Sequence, residues 1–114
     1  MIQVFHNNRC GKSRDCIAYL TEHNVLFETV YYLENPPSVN ELKSILKKLN
    51  YKPIDLVRVK EKVWIDNYKD KVLTDDEIIE AMTQNPILIE RPIVITNTKA
   101  VVARPLDKIK ELNL

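Results

Sequence analysis

The period of the hydrophobic positions changes along the chain, and each change marks an element. Ile2 to Phe5 is a short apolar run ending at His6-Asn7-Asn8, the pattern of a strand entering a loop. From Lys12 to about His23 the period becomes helical: Ile17 and Leu20 sit one turn apart, Cys16 and Tyr19 lie near the same stripe, and Asn24 is a stop. Val25 to Leu33 then offers Phe27, Val30, Tyr31 and Tyr32, which suit a strand, before Asn35-Pro36-Pro37 ends it. A strand, a helix and a strand on short links predict a βαβ unit, with two parallel strands and a right-handed crossover.

Ser38 and Glu41 have capping-box spacing, and Leu42, Ile45, Leu46 and Leu49 follow at helical spacing. Thr74 and Glu77 repeat the device ahead of Ile78, Ile79 and Met82, and Asn85-Pro86 closes that helix. Between these two helices the pattern is weaker. Pro53 can open a short helix through Val57, and Lys60 to Lys71, charged around Trp64 and Tyr68, predicts further helical turns. Ile93 to Thr96 and Ala100 to Ala103 are β-type runs separated by Asn97-Thr98-Lys99, a hairpin spacing. Pro105 then suits the first turn of a last helix carrying Leu106, Ile109 and Leu112. The expected class is α/β, with a βαβ half, a ββα half and a helical insertion at about 38–85.

Length and charge narrow the function. A chain of 114 residues suits one domain, expected to span 1–114, with a single core. The net charge of +1 carries no nucleic-acid or membrane-surface signal, so any anion site must be local. No apolar run approaches the roughly 20 residues of a membrane span, and residues 1 to 7 lack a signal-peptide pattern, so the expected location is the cytoplasm. With one glycine, Gly11, there is no phosphate-binding glycine loop.

The candidate chemistry lies in residues 6–14, HNNRCGKSR. Cys10 can be a packed small hydrophobe, half of a disulfide, a metal ligand or a nucleophile. A bridge to Cys16 is disfavoured, because six helical residues advance about 9 Å, beyond the ~7 Å Cα separation a disulfide spans. His6, Cys10, Cys16 and His23 lack the paired spacing of a zinc site, so no metal is expected. At a strand-to-helix junction, free backbone amides and the helix dipole favour the thiolate, and Arg9, Lys12 and Arg14 would add to this if they point inward. Gly11 lets the backbone approach a ligand. The motif is Cys-x-x-Ser, so a resolving thiol must come from outside. Ser13 can donate to the sulfur or be an ordinary first-turn residue, and His6 can support the thiolate or simply decorate a strand end. Cys16 reads as core, and His23 as a partner of the helix dipole.

HNNRCGKSR, with LVR at 56–58, PILIERPIVI at 86–95 and ARP at 103–105, resembles the glutaredoxin-linked arsenate reductases along nearly the whole chain. The resemblance implies a thioredoxin-like fold with a helical insertion, Cys10 as catalytic cysteine, Arg58, Arg91 and Arg104 as oxyanion ligands, and His6 as support for the thiolate. Ser13 and Arg14 also fall on matching positions, and Pro92 matches the family's cis-proline. It further implies arsenate as substrate, glutathione as co-substrate, glutaredoxin as partner and no bound cofactor. The ligand chemistry is physically apt, because arginine offers permanently charged planar forks where lysine supplies a point charge. The loop departs from many relatives in carrying Asn8 where they have proline. Each arginine can equally be a solvated surface charge, and Pro92 an ordinary trans residue.

Two other readings share the fold. Spx-type regulators, which bind RNA polymerase and sense thiol oxidation, also carry the RPI segment, but they commonly use Cys-x-x-Cys and need not keep Arg104. A related thiol oxidoreductase with another substrate, such as a glutathione mixed disulfide, fits the same residues.

Overall fold

In the computed structural model, which describes residues 1–114, Val4, Val94 and Val101 form a row of neighbours across three strands. The strands are β1 (Ile2–Phe5), β2 (Phe27–Val30), β3 (Ile93–Ile95) and β4 (Ala100–Val102), in the order β2-β1-β3-β4. β1 runs parallel to β2 and antiparallel to β3, and β3 runs antiparallel to β4, so the βαβ and ββ halves meet at the β1–β3 pair. On one face, the valine row packs with Cys16 and Leu20 of α1 (Gly11–Glu22) and with Ile109 and Leu112 of a C-terminal 3-10 helix, Leu106–Leu112. These elements belong to one unit, Met1–Asn35 together with Arg91–Leu114.

The other unit, Pro36–Glu90, is helical. It contains α2 (Val39–Leu49), a 3-10 turn at Pro53–Leu56, α3 (Lys62–Asn67), α4 (Asp75–Gln84) and a 3-10 turn at Pro86–Leu88. Both expected capping boxes form: Ser38 with Glu41 opens α2, and Thr74 with Glu77 opens α4. Each satisfies two backbone donors that a helix start leaves free. Leu42, Ile45, Leu46 and Leu49 are the buried stripe of α2, and Ile78, Ile79, Ala81 and Met82 that of α4. A single antiparallel bridge joins Val57 to Ile89, with Arg58 N–H donating to the Leu88 carbonyl at 2.7 Å.

Several boundaries differ from the sequence expectation. β2 stops at Val30, because the amides of Glu34 and Asn35 both turn back to the Tyr31 carbonyl, at 3.0 and 2.9 Å. β3 and β4 each end one residue short of their apolar runs. The last helix is 3-10, not α, and Pro105 precedes it as N-cap. Leu106, Ile109 and Leu112 are three apart, a spacing that aligns them in a 3-10 helix, where positions i and i+3 eclipse. Both Arg91-Pro92 and Arg104-Pro105 are cis, and the second had no sequence signal of its own.

Candidate active site

The loop between β1 and α1 is shaped by Asn7 and Ser13. The Asn7 side-chain oxygen accepts from the Arg9 amide at 3.0 Å, an Asx turn, and the Asn7 carbonyl accepts from Cys10 N–H at 3.0 Å. Ser13 is fully buried one turn into the helix, and its hydroxyl oxygen accepts from the Asn7 amide at 3.0 Å and shares a 2.7 Å hydrogen bond with His6 Nδ1. Arg14 donates to the Asn8 carbonyl at 3.2 Å. Four side chains, those of His6, Asn7, Ser13 and Arg14, thus stiffen a loop that lacks the proline ring at position 8. The Ser13 hydroxyl is committed to His6 and Asn7.

Cys10 is the N-cap of α1, with extended backbone (φ −95°, ψ 121°) and a partly exposed side chain. Its sulfur makes no regular capping hydrogen bond, yet it lies where the first helical amides point. Burial alone would raise its pKa. The backbone amide of Ser13, the guanidinium of Arg91 through both a hydrogen bond and its charge, and the amide of Lys12 act against burial and prevail, so the thiol lies below its ordinary 9.0. The nearby cations expected from the sequence act differently: Lys12 contributes its backbone, and Arg14 faces His6. Burial, and then the charge of Arg14, lower the His6 pKa and favour the neutral ring. His6 holds the loop through its hydrogen bond to Ser13.

Arg104 completes the surroundings of the sulfur. Its Nη1 lies 3.9 Å from Cys10 Sγ and donates to the Arg91 carbonyl at 3.0 Å. Cys10, Arg91 and Arg104, far apart in sequence, are brought together in the sheet-bearing unit. A Cβ at Gly11 would meet only Arg14 Nη2, at 3.8 Å, so the space beside that amide is open. Arg58 belongs to the helical unit, where its guanidinium pairs with Glu61 at 3.3 Å through Nε and with Glu90 at 3.2 Å through Nη1. Cys16 is sealed in the core, and burial pushes its thiol up to about 12.

A thiol held below its ordinary pKa, with two guanidinium groups beside it and the helix-start amides of Lys12 and Ser13 directed at it, can attack an electrophilic centre while the anionic oxygens of that centre are neutralised. The sequence model of the ArsC family matches residues 5–112. The chain belongs to the thioredoxin-like ArsC family. An arsenate reductase of Neisseria meningitidis serogroup A is 40% identical over 111 residues, covering 96% of this chain and 95% of that protein. An Escherichia coli arsenate reductase is 34% identical over 113 residues, covering 97% of this chain and 79% of its own length. The solved structure of an arsenate reductase from Vibrio cholerae superposes with a TM-score of 0.91 at 37% identity, covering 96% of this chain and 95% of that one. The four-stranded sheet and its helices are therefore the ArsC architecture.

Reading the sequence alone missed two features of this family member. Ser13 reaches the sulfur through its backbone amide, a contact that serine shares with any residue and that no motif can announce. Glu61 and Glu90, the partners of Arg58, lie three positions from it and thirty-two positions from it, and only the first spacing is legible in a helix.

Proposed function

We propose that the protein reduces arsenate to arsenite at Cys10, with glutathione as thiol co-substrate, glutaredoxin as redox partner and no bound cofactor. The observation that carries this reading is the convergence of Arg91 and Arg104 on the Cys10 sulfur at the start of α1. The thiolate attacks arsenic and displaces one arsenate oxygen as water, giving a Cys10–S–As(V) adduct, while the guanidinium groups hold the remaining oxygens. Arsenic then accepts two electrons, two thiols become a disulfide, and arsenite leaves. Across the cycle, arsenate and two thiols give arsenite, a disulfide and water.

Both reducing equivalents must come from outside. Cys16 is fully buried, with its thiol held at about 12, so it cannot resolve an adduct on Cys10. Glutathione and glutaredoxin supply those thiols in a reducing cytoplasm. Arg58 enters the reading as a third oxyanion ligand on the resemblance alone, and it would have to exchange a carboxylate partner for the anion.

The test couples arsenate reduction to NADPH oxidation through glutathione reductase, with glutathione and glutaredoxin present. The expected result is turnover that needs both thiols, is abolished in Cys10→Ser and is largely retained in Cys16→Ser. A wild-type protein inert toward arsenate that retains RNA polymerase from a lysate would replace this reading with the regulator.

A further inference from the structure

The sheet has two edges, and they are finished differently. All the side chains of β4 are buried, whereas β2 has none buried: Phe27, Thr29 and Val30 are half-buried and Glu28 is exposed. Leu26 just before β2 and Tyr31 just after it are apolar surface open to solvent, 81% and 46% exposed. An edge strand offers a row of unpaired backbone groups, which proteins commonly blunt with charges, proline or a bulge. Along β2 Glu28 is the only such device.

One hydrogen bond fixes which groups face outward. His6 N–H donates to the Val30 carbonyl at 2.9 Å, so Val30 and, two residues earlier, Glu28 turn their backbone groups toward β1. Phe27 and Thr29 present theirs to the free edge, because the direction alternates along a strand. Tyr31 adds only its amide, since its carbonyl already accepts from Glu34 and Asn35. This outward set can pair with a copy of itself, and Glu28 selects the register. With Thr29 opposite Thr29, Phe27 faces Tyr31 of the second copy and Glu28 faces Val30. A slip of two residues one way would set Glu28 against Glu28, like charges in direct opposition. A slip the other way carries Phe27 past the turn at Tyr31.

We infer that the outer edge of β2 is a homodimer interface, where a second copy of the chain adds its own β2 antiparallel with Thr29 on the two-fold axis. The Thr29 pair exchanges backbone hydrogen bonds, and each Tyr31 amide donates to the Phe27 carbonyl of the other copy. Phe27 and Tyr31 form an aromatic cross-strand pair on each side of the axis, and Leu26 lies diagonal to Val30 of the second copy. The strand is short, so association is weak, with a dissociation constant on the order of 0.1 mM. The Tyr31 ring also stands edge-on to His6, with centroids 5.8 Å apart, so the interface abuts the loop that carries Cys10. None of this depends on the reaction the protein catalyses.

The experiment uses the whole chain. Sedimentation equilibrium from about 10 µM to 1 mM, a range that brackets the expected constant, should show a monomer–dimer equilibrium. ¹H–¹⁵N NMR over the same range should show concentration-dependent shifts at residues 26–31. Thr29→Pro removes the outward amide and keeps the bonds to β1, and it should weaken association at least tenfold. Leu26→Glu, at an exposed position that folding does not need, should weaken it roughly threefold to tenfold and stands in if the proline variant does not fold. The register is read by oxidative cross-linking in a Cys10→Ser background, where Cys16 is sealed. Thr29→Cys should cross-link, because paired Cα atoms opposite one another lie about 5.5 Å apart, within disulfide reach, while Glu28→Cys should not. A monomer throughout the range, shifts that cluster away from β2, or cross-linking through Glu28→Cys in place of Thr29→Cys would overturn the proposal. So would association that both Thr29→Pro and Leu26→Glu leave unchanged.

Discussion

Arg104 Nη1 sits 3.9 Å from Cys10 Sγ, although ninety-four positions separate the two residues. The same nitrogen donates to the Arg91 carbonyl at 3.0 Å, so a backbone anchor fixes this guanidinium beside the sulfur before any anion arrives. Such pre-placement lowers the ordering cost of binding an oxyanion. Arg91 and Arg104 nevertheless differ in what they do to the thiol, because Arg91 acts on its ionisation by hydrogen bond and charge.

That difference is measurable. The rate of Cys10 alkylation by iodoacetamide, followed against pH, should rise at a lower pH than for an ordinary thiol, since the Cys10 pKa is lowered. Arg91→Gln should move the profile upward toward 9.0, and Arg104→Gln should move it less while weakening phosphate binding comparably. Equal shifts in both variants would contradict the assignment. Cys16, being sealed, adds no background at native pH.

Ser13→Ala should destabilise the fold by about 1–3 kcal/mol, because it removes partners from the buried Asn7 amide and from His6. Urea unfolding measures the loss. Ser13→Thr should not restore stability, since the added methyl has no room at a position with zero exposure. A Ser13→Ala variant as stable as the wild type would mean that the hydroxyl does not hold the loop.

Cys16 predicts an alkaline weakness. Its folded pKa is raised from 9.0 to about 12 by burial, so between those values the unfolded chain has released a proton that the folded chain keeps. The unfolded state then binds fewer protons, and stability falls as pH rises from about 9 toward 12. Urea midpoints measured across this range should fall more steeply in the wild type than in Cys16→Ala, whose smaller core side chain costs a pH-independent amount. Parallel slopes would show that this thiol is not protected.

His6 acts on the acid side with the opposite dependence. Its pKa lies below 6.5, through burial and the charge of Arg14, so the unfolded state takes up its proton first as pH falls. The contribution is fully present above 6.5 and is lost as pH drops through the lowered value. His6→Gln should flatten that part of the stability profile, with thermal melts between pH 7 and 5 as the readout.

Arg58 tests the charge cluster within the helical unit. Arg58→Gln leaves Glu61 and Glu90 without their shared cation, and a loss of about 1 kcal/mol is expected for a pair of partly buried contacts. Glu90→Gln added to the same chain should recover part of that loss, because it removes one of the stranded charges. Strict additivity in the double-mutant cycle would mean that the Arg58–Glu90 contact contributes nothing.

Much of the fold was legible in the chain, because local chemistry alone dictates it. The Ser38–Glu41 and Thr74–Glu77 boxes, the helical stripes they open, the strand–loop–helix junction at Cys10 and the hairpin around Asn97-Thr98-Lys99 all depend on residues within a turn or two of one another. Where a tertiary hydrogen bond cut an apolar run short, as the Tyr31 carbonyl does after Val30, periodicity carried no trace of the stop. The order β2-β1-β3-β4 required pairing residues about ninety positions apart, such as Val4 with Val94. The site divides in the same way. Cys10 was readable as a helix-start cysteine from its immediate neighbours, and the family resemblance named Arg91 and Arg104, but local spacing gave no sign of which cations would face it, because charge acts through space and follows the folded path. Arg9, Lys12 and Arg14 stand nearest in sequence, and only the tertiary structure put Arg91 and Arg104 at the sulfur and turned Arg14 toward His6.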